Sequence, residues 1–261
     1  MSNTFIDNRD AWMRLSDVDY LGQFVKSWLA LNAWYRSAYT ETQDRKIINE
    51  IKWNSNPVAS YLRPLLIQQS DEAEQFRAEI GLLHHRLENY EIITGKGNTK
   101  ERITLTNIFL KENPPCVKNG QSHGCLFSVE RIQNKKITVK VLGKTGNPIY
   151  QLTQSHYNLT GLQDDPAYGK LSASRQSYLR ALYDSAAPRL IADLTNGNEA
   201  SIQCGAHTFG CSREHLFAGL VEAVYLMRCT LFHGELSPTR DAAACYEPAY
   251  RIVRRFLECI N

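Results

Sequence analysis

The sequence lacks a long hydrophobic run. Its longest mostly apolar stretch, His215 to Met227, falls short of the ~20 residues a bilayer span needs and carries Glu222 within it. Met1 to Asp10 have neither the basic start nor the apolar core of a signal peptide, so no leader is expected. These two absences predict a non-exported, cytoplasmic protein with no membrane partner. Cysteine is sparse and unpaired in number, seven residues at 116, 125, 204, 211, 229, 245 and 259. Without export, that excludes a disulfide framework and predicts free thiols in a reducing compartment. There is no repeat and no low-complexity tract.

What the 261 residues do contain is 43% hydrophobic and 22% charged, enough to bury a proper core and too apolar for disorder. The net charge is only +3, but it is unevenly spread. Residues 95–145 hold ten lysines and arginines against three glutamates, a local +7 that leaves −4 for the rest. A polyanion would be attracted there. Lys135, Lys136, Lys140 and Lys144 are the candidate RNA contacts. Aromatics are thin in this segment (Phe109, Phe127, Tyr150), so base stacking is not strongly indicated.

Apolar spacing predicts helices over 16–39, 42–53 and 58–68, the last interrupted by Pro64. Ser16 or Asp17 would cap the first. Ser70 with Asp71, Glu72 and Glu74 gives the next helix a cap and an acidic first turn, which the helix dipole favours. After Gly95 the pattern turns to strands: 103–110, 125–131, 137–142 and 149–153, with turns at 133–136 and 143–148. Helical spacing returns from Leu171 and continues beyond Pro188 through Leu190, Ile191 and Leu194. A Gly-rich loop follows from Asn196 to Gly210. The strongest helix starts at Ser212 and stops at Gly234, and a last one runs from Asp241. The expected fold class is mainly α, a helical bundle with a small antiparallel β insertion. The expected divisions are 1–94, the basic 95–162 and 163–261.

The junction of the last two helices reads Tyr225-Leu226-Met227-Arg228-Cys229-Thr230-Leu231-Phe232-His233-Gly234-Glu235. An arginine, four residues, then His-Gly at the end of an apolar helix resembles the Arg-x4–6-His signature of the HEPN superfamily. The aromatic first helix, with Leu29-Ala30-Leu31-Asn32-Ala33-Trp34-Tyr35, and the last, with Tyr246-Glu247-Pro248-Ala249-Tyr250, are similar to those of some members. The resemblance covers residues 12–90 and 170–261, not the β segment. It implies a HEPN-like bundle, a homodimer whose two motifs line one cleft, and a metal-independent endoribonuclease of the toxin or anti-phage defence type. A neutralising or sensing partner protein would accompany such a role, and no cofactor is implied.

The residue types suit that chemistry. Imidazole moves protons near neutrality, and guanidinium stays charged and binds phosphate bidentately. Arg228 and His233 are the candidate catalytic residues. Five positions along one helix turn a side chain by about 140° beyond a full turn. The pair therefore converges only if the helix stops near Phe232 or if two chains share the site. Asn32, Cys229 and Glu235 are candidates to line the cleft, although Asn32 reads first as a satisfied buried amide. The residue after the arginine is often polar in active members. Cys229 therefore motivates an alternative, a non-catalytic module binding RNA, a nucleotide or a partner protein. Cys204-x2-His207-x3-Cys211 and Cys116/His123/Cys125 have loosely zinc-like spacing but lack two tidy ligand pairs, so no metal is expected.

Overall fold

The computed structural model describes residues 18–95, 100–132 and 136–260, together with 8 and 9. Ser16, Asp17, Lys135 and most of the 133–136 turn lie outside the described residues. The chain forms two compact units: unit 1 takes residues 1–110 and 192–261, and unit 2 takes the continuous segment 111–191.

Unit 1 opens with four helices, α1 (Tyr20–Ala38), α2 (Asp44–Trp53), α3 (Pro57–Leu65) and α4 (Asp71–Asn89). A short antiparallel pair follows, β1 (Ile93–Thr94) and β2 (Glu101–Arg102). The chain crosses to unit 2 along β3 (Ile108–Glu112). In unit 2 come β4 (Cys116–Ser122), β5 (Cys125–Arg131), β6 (Ile137–Leu142) and β7 (Pro148–Gln154). Helices α5 (Leu159–Gln163), α6 (Pro166–Gly169) and α7 (Ala173–Asp184) follow, and β8 (Arg189–Ala192) leads back. Unit 1 resumes with the hairpin β9 (Ile202–Cys204) and β10 (His207–Phe209), then α8 (Arg213–Phe232) and α9 (Arg240–Glu258).

Local chemistry sets the helix starts. Asp19, Asn56, Ser70, Ser212 and Thr239 each accept a backbone N–H from the first turn of the helix they precede. Helix α8 is the axis of unit 1, buried from Leu216 through Tyr225 without a polar face. By length and composition alone it would pass as a bilayer span, yet most of that window is buried inside the protein. Helix α1 packs on α9, α9 on α4, and α8 on α2. Phe24 meets Tyr246 edge to face at 5.1 Å, and Trp28 meets Tyr225 at 6.1 Å. Fully burying each such side chain contributes roughly 2–3 kcal/mol. Helix α4 lies so close to β9 that a Cβ on Gly81 would sit 2.1 Å from the Cys204 carbonyl oxygen, which only glycine permits.

Unit 2 is a four-stranded antiparallel meander in the order β4-β5-β6-β7. His123 and Gly124, both at positive φ (50° and 70°), make the two-residue β4–β5 turn whose twist matches the strands. One sheet face carries Phe127, Val129, Val139, Val141 and Tyr150, and packs with Leu162, Tyr168, Leu179 and Tyr183 from the helices.

The expected fold class, a mainly α HEPN-like bundle with a small β insertion, is overturned. The described protein is about 50% helical and 19% strand, with several antiparallel sheets including the four-stranded one. The physical reason is that the strand-rich segment is no appendage. It closes its own hydrophobic core with helices α5–α7. Leu190 and Ile191 lie in a strand rather than a helix, and the Gly-rich loop contains the β9–β10 hairpin.

Candidate active site

Helix α8 stops at Phe232. Gly234 adopts φ +65°, its N–H reaches the Leu231 carbonyl at 3.3 Å, and the Glu235 N–H reaches that of Thr230 at 2.9 Å. This pair of bonds is a Schellman termination, with glycine in the left-handed position. His233 becomes the C-cap (φ −89°, ψ 2°), exposed at the helix end. Arg228 sits one turn earlier, its guanidinium 4.8 Å from the centre of the exposed Phe232 ring.

Arg228 is enclosed by partners from α1 and α2. Its side chain is 17% exposed, and Nη2 lies 3.5 Å from Oδ2 of Asp44. The other Asp44 oxygen accepts from Arg36 at 2.5 Å. Asp44 thus bridges two guanidinium groups from the first turn of α2. Tyr35 stands beside them, and the Asn32 amide donates to its hydroxyl at 2.7 Å. Burial, then the Asp44 charge, push the Tyr35 hydroxyl up to about 12, with Arg228 opposing. It therefore stays protonated at neutral pH, able to donate while accepting from Asn32. Cys229 accepts a long contact from Arg228 Nη1 at 3.9 Å. Glu235 is turned elsewhere, accepting from the Gly95 N–H at 3.1 Å and from Thr94 Oγ1 at 3.4 Å. An anion that reached the Arg228 guanidinium would therefore have to displace Asp44.

A second charged cluster lies deeper on α8. Glu222 and Lys52 are both completely buried and pair at 2.7 Å, and Arg45 meets the same carboxylate at 2.6 Å. Lys52 also donates to the Leu110 carbonyl at 2.9 Å. Burial pushes the Lys52 amine down to about 8, with Glu222 opposing. Arg45 lies over the Tyr225 ring at 4.8 Å, which joins this cluster to the helix turn below Arg228. Sequence reasoning missed Asp44, Tyr35, Lys52 and Arg45. The one signal available was Glu222 itself, a charge on an otherwise apolar helix that has to find a buried cation.

Histidines gather at the other end of α4. The His84 ring is buried and meets His207 edge to face at 4.7 Å and Phe209 at 5.3 Å, and His85 lies 5.9 Å from His207. His84 Nδ1 has no hydrogen-bond partner, and Glu88 is 3.9 Å away. Burial, then the neighbouring His207, hold the His84 imidazole below its ordinary value against the pull of Glu88 and Asp193. As pH falls through about 6.5, the unfolded chain takes up this proton before the folded one. The contribution of His84 to stability is complete above that value and lost on acidification. The melting temperature is expected to drop between about pH 7.5 and about pH 5, and His84→Leu to shrink the drop. An unchanged drop in that variant would remove His84 as the cause.

All seven cysteines are free. Burial pushes the Cys204 and Cys211 thiols up to about 12, far from the thiolate a metal takes. Among the described residues no group of three or more His, Cys, Asp or Glu side chains is placed to hold a metal ion. Of the candidate RNA contacts, Lys140 is exposed in the middle of β6, Lys136 is exposed just before it and Lys144 in the turn after it. Unit 2 holds eleven lysines and arginines against five acidic residues, a net +6, whereas the rest of the chain carries −3. No protein-family model, curated protein or solved structure matches the chain.

Proposed function

We propose that the protein is a metal-independent endoribonuclease acting in the cytoplasm, with Arg228 and His233 as its catalytic residues. The reading begins from the resemblance of Arg228-x4-His233 to the HEPN signature. The observation that carries it is the Schellman end of α8, which leaves His233 open to solvent one residue beyond the ring that supports Arg228.

The reaction needs no metal. An RNA 2′-hydroxyl attacks its own 3′-phosphorus while an imidazole removes the hydroxyl proton. The 5′-oxygen leaves with a proton from a second group, and the products are a 2′,3′-cyclic phosphate and a 5′-hydroxyl. Arg228 exchanges Asp44 for a phosphate oxygen and stabilises the charge on the five-coordinate phosphorus. One histidine per chain supplies one proton-transfer group, so the reading calls for two chains. We expect a homodimer whose interface includes the end of α8 and exceeds about 1,000 Å². Light scattering at micromolar concentration checks this, and a strict monomer contradicts the shared site. The direct test is incubation of the purified protein with total RNA in EDTA.

The Asp44–Arg228 ion pair favours a second reading. If Asp44 is never displaced, Arg228 is structural and the chain is a non-catalytic module that binds RNA, a nucleotide or a partner protein. Asp44→Asn separates the two. Freeing Arg228 raises cleavage in the first reading and leaves a non-catalytic module inactive. A toxin or defence effector would also need a neutralising or sensing partner.

A further inference from the structure

We propose that the open face of the β4–β7 sheet is a sequence-independent docking surface for the sugar–phosphate backbone of RNA. The choice of RNA over another polyanion rests on the ribonuclease reading; the surface itself does not. Because strand side chains alternate, the buried set Phe127, Val129, Val139 and Val141 leaves the intervening residues outside. The strand register then arranges them in rows. Asn119, Ser128, Lys140 and Gln151 form the middle row across all four strands, and Val117, Glu130, Thr138 and Thr153 form the row beside it. The third row, Gln121, Leu126 and Leu142, borders a groove of about 470 Å³ that Lys140 also lines.

The three rows carry one lysine, Lys140, and one glutamate, Glu130, and the positive excess comes from Lys136 and Lys144, exposed just beyond the two ends of β6. Lys136 and Lys140 fall on the outward parity of β6 roughly 13 Å apart, with Lys144 in the turn beyond. Glu130 is the one acidic side chain in the three rows. Unit 2 as a whole carries its net +6 against the −3 of the rest of the chain. A cationic line flanked by amide and hydroxyl groups matches phosphate and ribose oxygens. The rows contain no phenylalanine, tyrosine, tryptophan or histidine. The platform on which single-stranded bases usually stack is therefore missing, and binding comes from the backbone alone.

The test uses the whole 261-residue chain and 2′-O-methyl RNA oligonucleotides, which lack the nucleophile and so cannot be cut. Fluorescence anisotropy follows uridine-rich, adenosine-rich and mixed sequences between about 50 and about 200 mM salt. The affinities are expected to agree within about threefold across sequences. The slope of log affinity against log salt should be about −2, from about −0.7 for each of three phosphate contacts on a single strand. Lys136→Glu/Lys140→Glu/Lys144→Glu should remove that slope, Lys140→Gln should reduce it by about 0.7, and Glu130→Lys should steepen it. Circular dichroism confirms that these surface variants fold. Unchanged affinity in the triple variant, or a tenfold or greater base preference, overturns the proposal even if the protein cuts RNA. Binding with the expected slope in a protein that cuts no RNA upholds the surface and defeats the ribonuclease reading.

Discussion

His233→Ala is expected to abolish RNA cleavage while leaving the protein folded. Its backbone keeps the C-cap geometry, because the Schellman bonds run between main-chain atoms of Thr230, Leu231, Gly234 and Glu235. The imidazole itself is exposed and outside the apolar core. Arg228→Ala is expected to cost on the order of 3 kcal/mol in transition-state stabilisation, a loss of roughly a hundredfold or more in rate. Here folding is not indifferent: removing the guanidinium takes one of the two cations from Asp44 and leaves it with Arg36 and the Tyr35 hydroxyl. Arg228→Lys separates charge from shape, since an ammonium keeps the counter-ion but loses bidentate phosphate binding. Rates on a defined RNA in EDTA, with circular dichroism for each variant, decide the matter. Cleavage that survives His233→Ala in a folded protein, or that requires Mg²⁺, defeats the mechanism.

Glu222→Gln is expected to be among the most destabilising single changes in the chain. The carboxylate is wholly buried and holds Lys52, also wholly buried, together with Arg45. Removing its charge strands an ammonium that has no access to water, and breaking a buried pair in this way costs about 3–5 kcal/mol. The Lys52 amine, already pushed down to about 8, would then lose its proton more readily. Urea denaturation measures the loss. Lys52→Met combined with Glu222→Leu should recover much of it, because an apolar pair of similar volume needs no counter-charge. A loss below about 1 kcal/mol in Glu222→Gln would show that water reaches this cluster.

How much of this was legible in the sequence varied with the physics of each element. Helix α4 was plain, because Ser70, the acidic first turn and the Phe76–Ile80–Leu83–Leu87 spacing all agree. Strands β5 and β6 were plain because each alternates strictly over a face that must be buried. Strand β4 was hidden: Lys118-Asn119-Gly120-Gln121 has no alternation to read, and as an edge strand it needs none. Leu190 and Ile191 fit a helical stripe as well as a half-buried strand, and only tertiary pairing decides between them. The fold class failed for the same reason. Periodicity marks elements but not which of them share a core, so a second core at 111–191 looked like an insertion. Within the candidate site, Arg228 and His233 were visible as a local motif. Asp44 lies 184 positions from Arg228, and no local pattern connects them.

Unit 2 is spliced into unit 1 as one uninterrupted segment, and this orders events during synthesis. Helix α1 makes its main packing against α9, which follows it by some two hundred residues. When Phe24 and Trp28 leave the ribosome, Tyr246 and Tyr225, which cover them, do not yet exist. The 81 residues of unit 2 alone interpose roughly 4–16 s at ordinary elongation rates of roughly 5–20 residues per second. A contiguous unit with its own core can complete during that interval, while the aromatic faces of the first helices remain bare and available to chaperones or to each other. Slow codons placed within 111–191 would lengthen that exposure, and fast ones shorten it, without altering a single side chain.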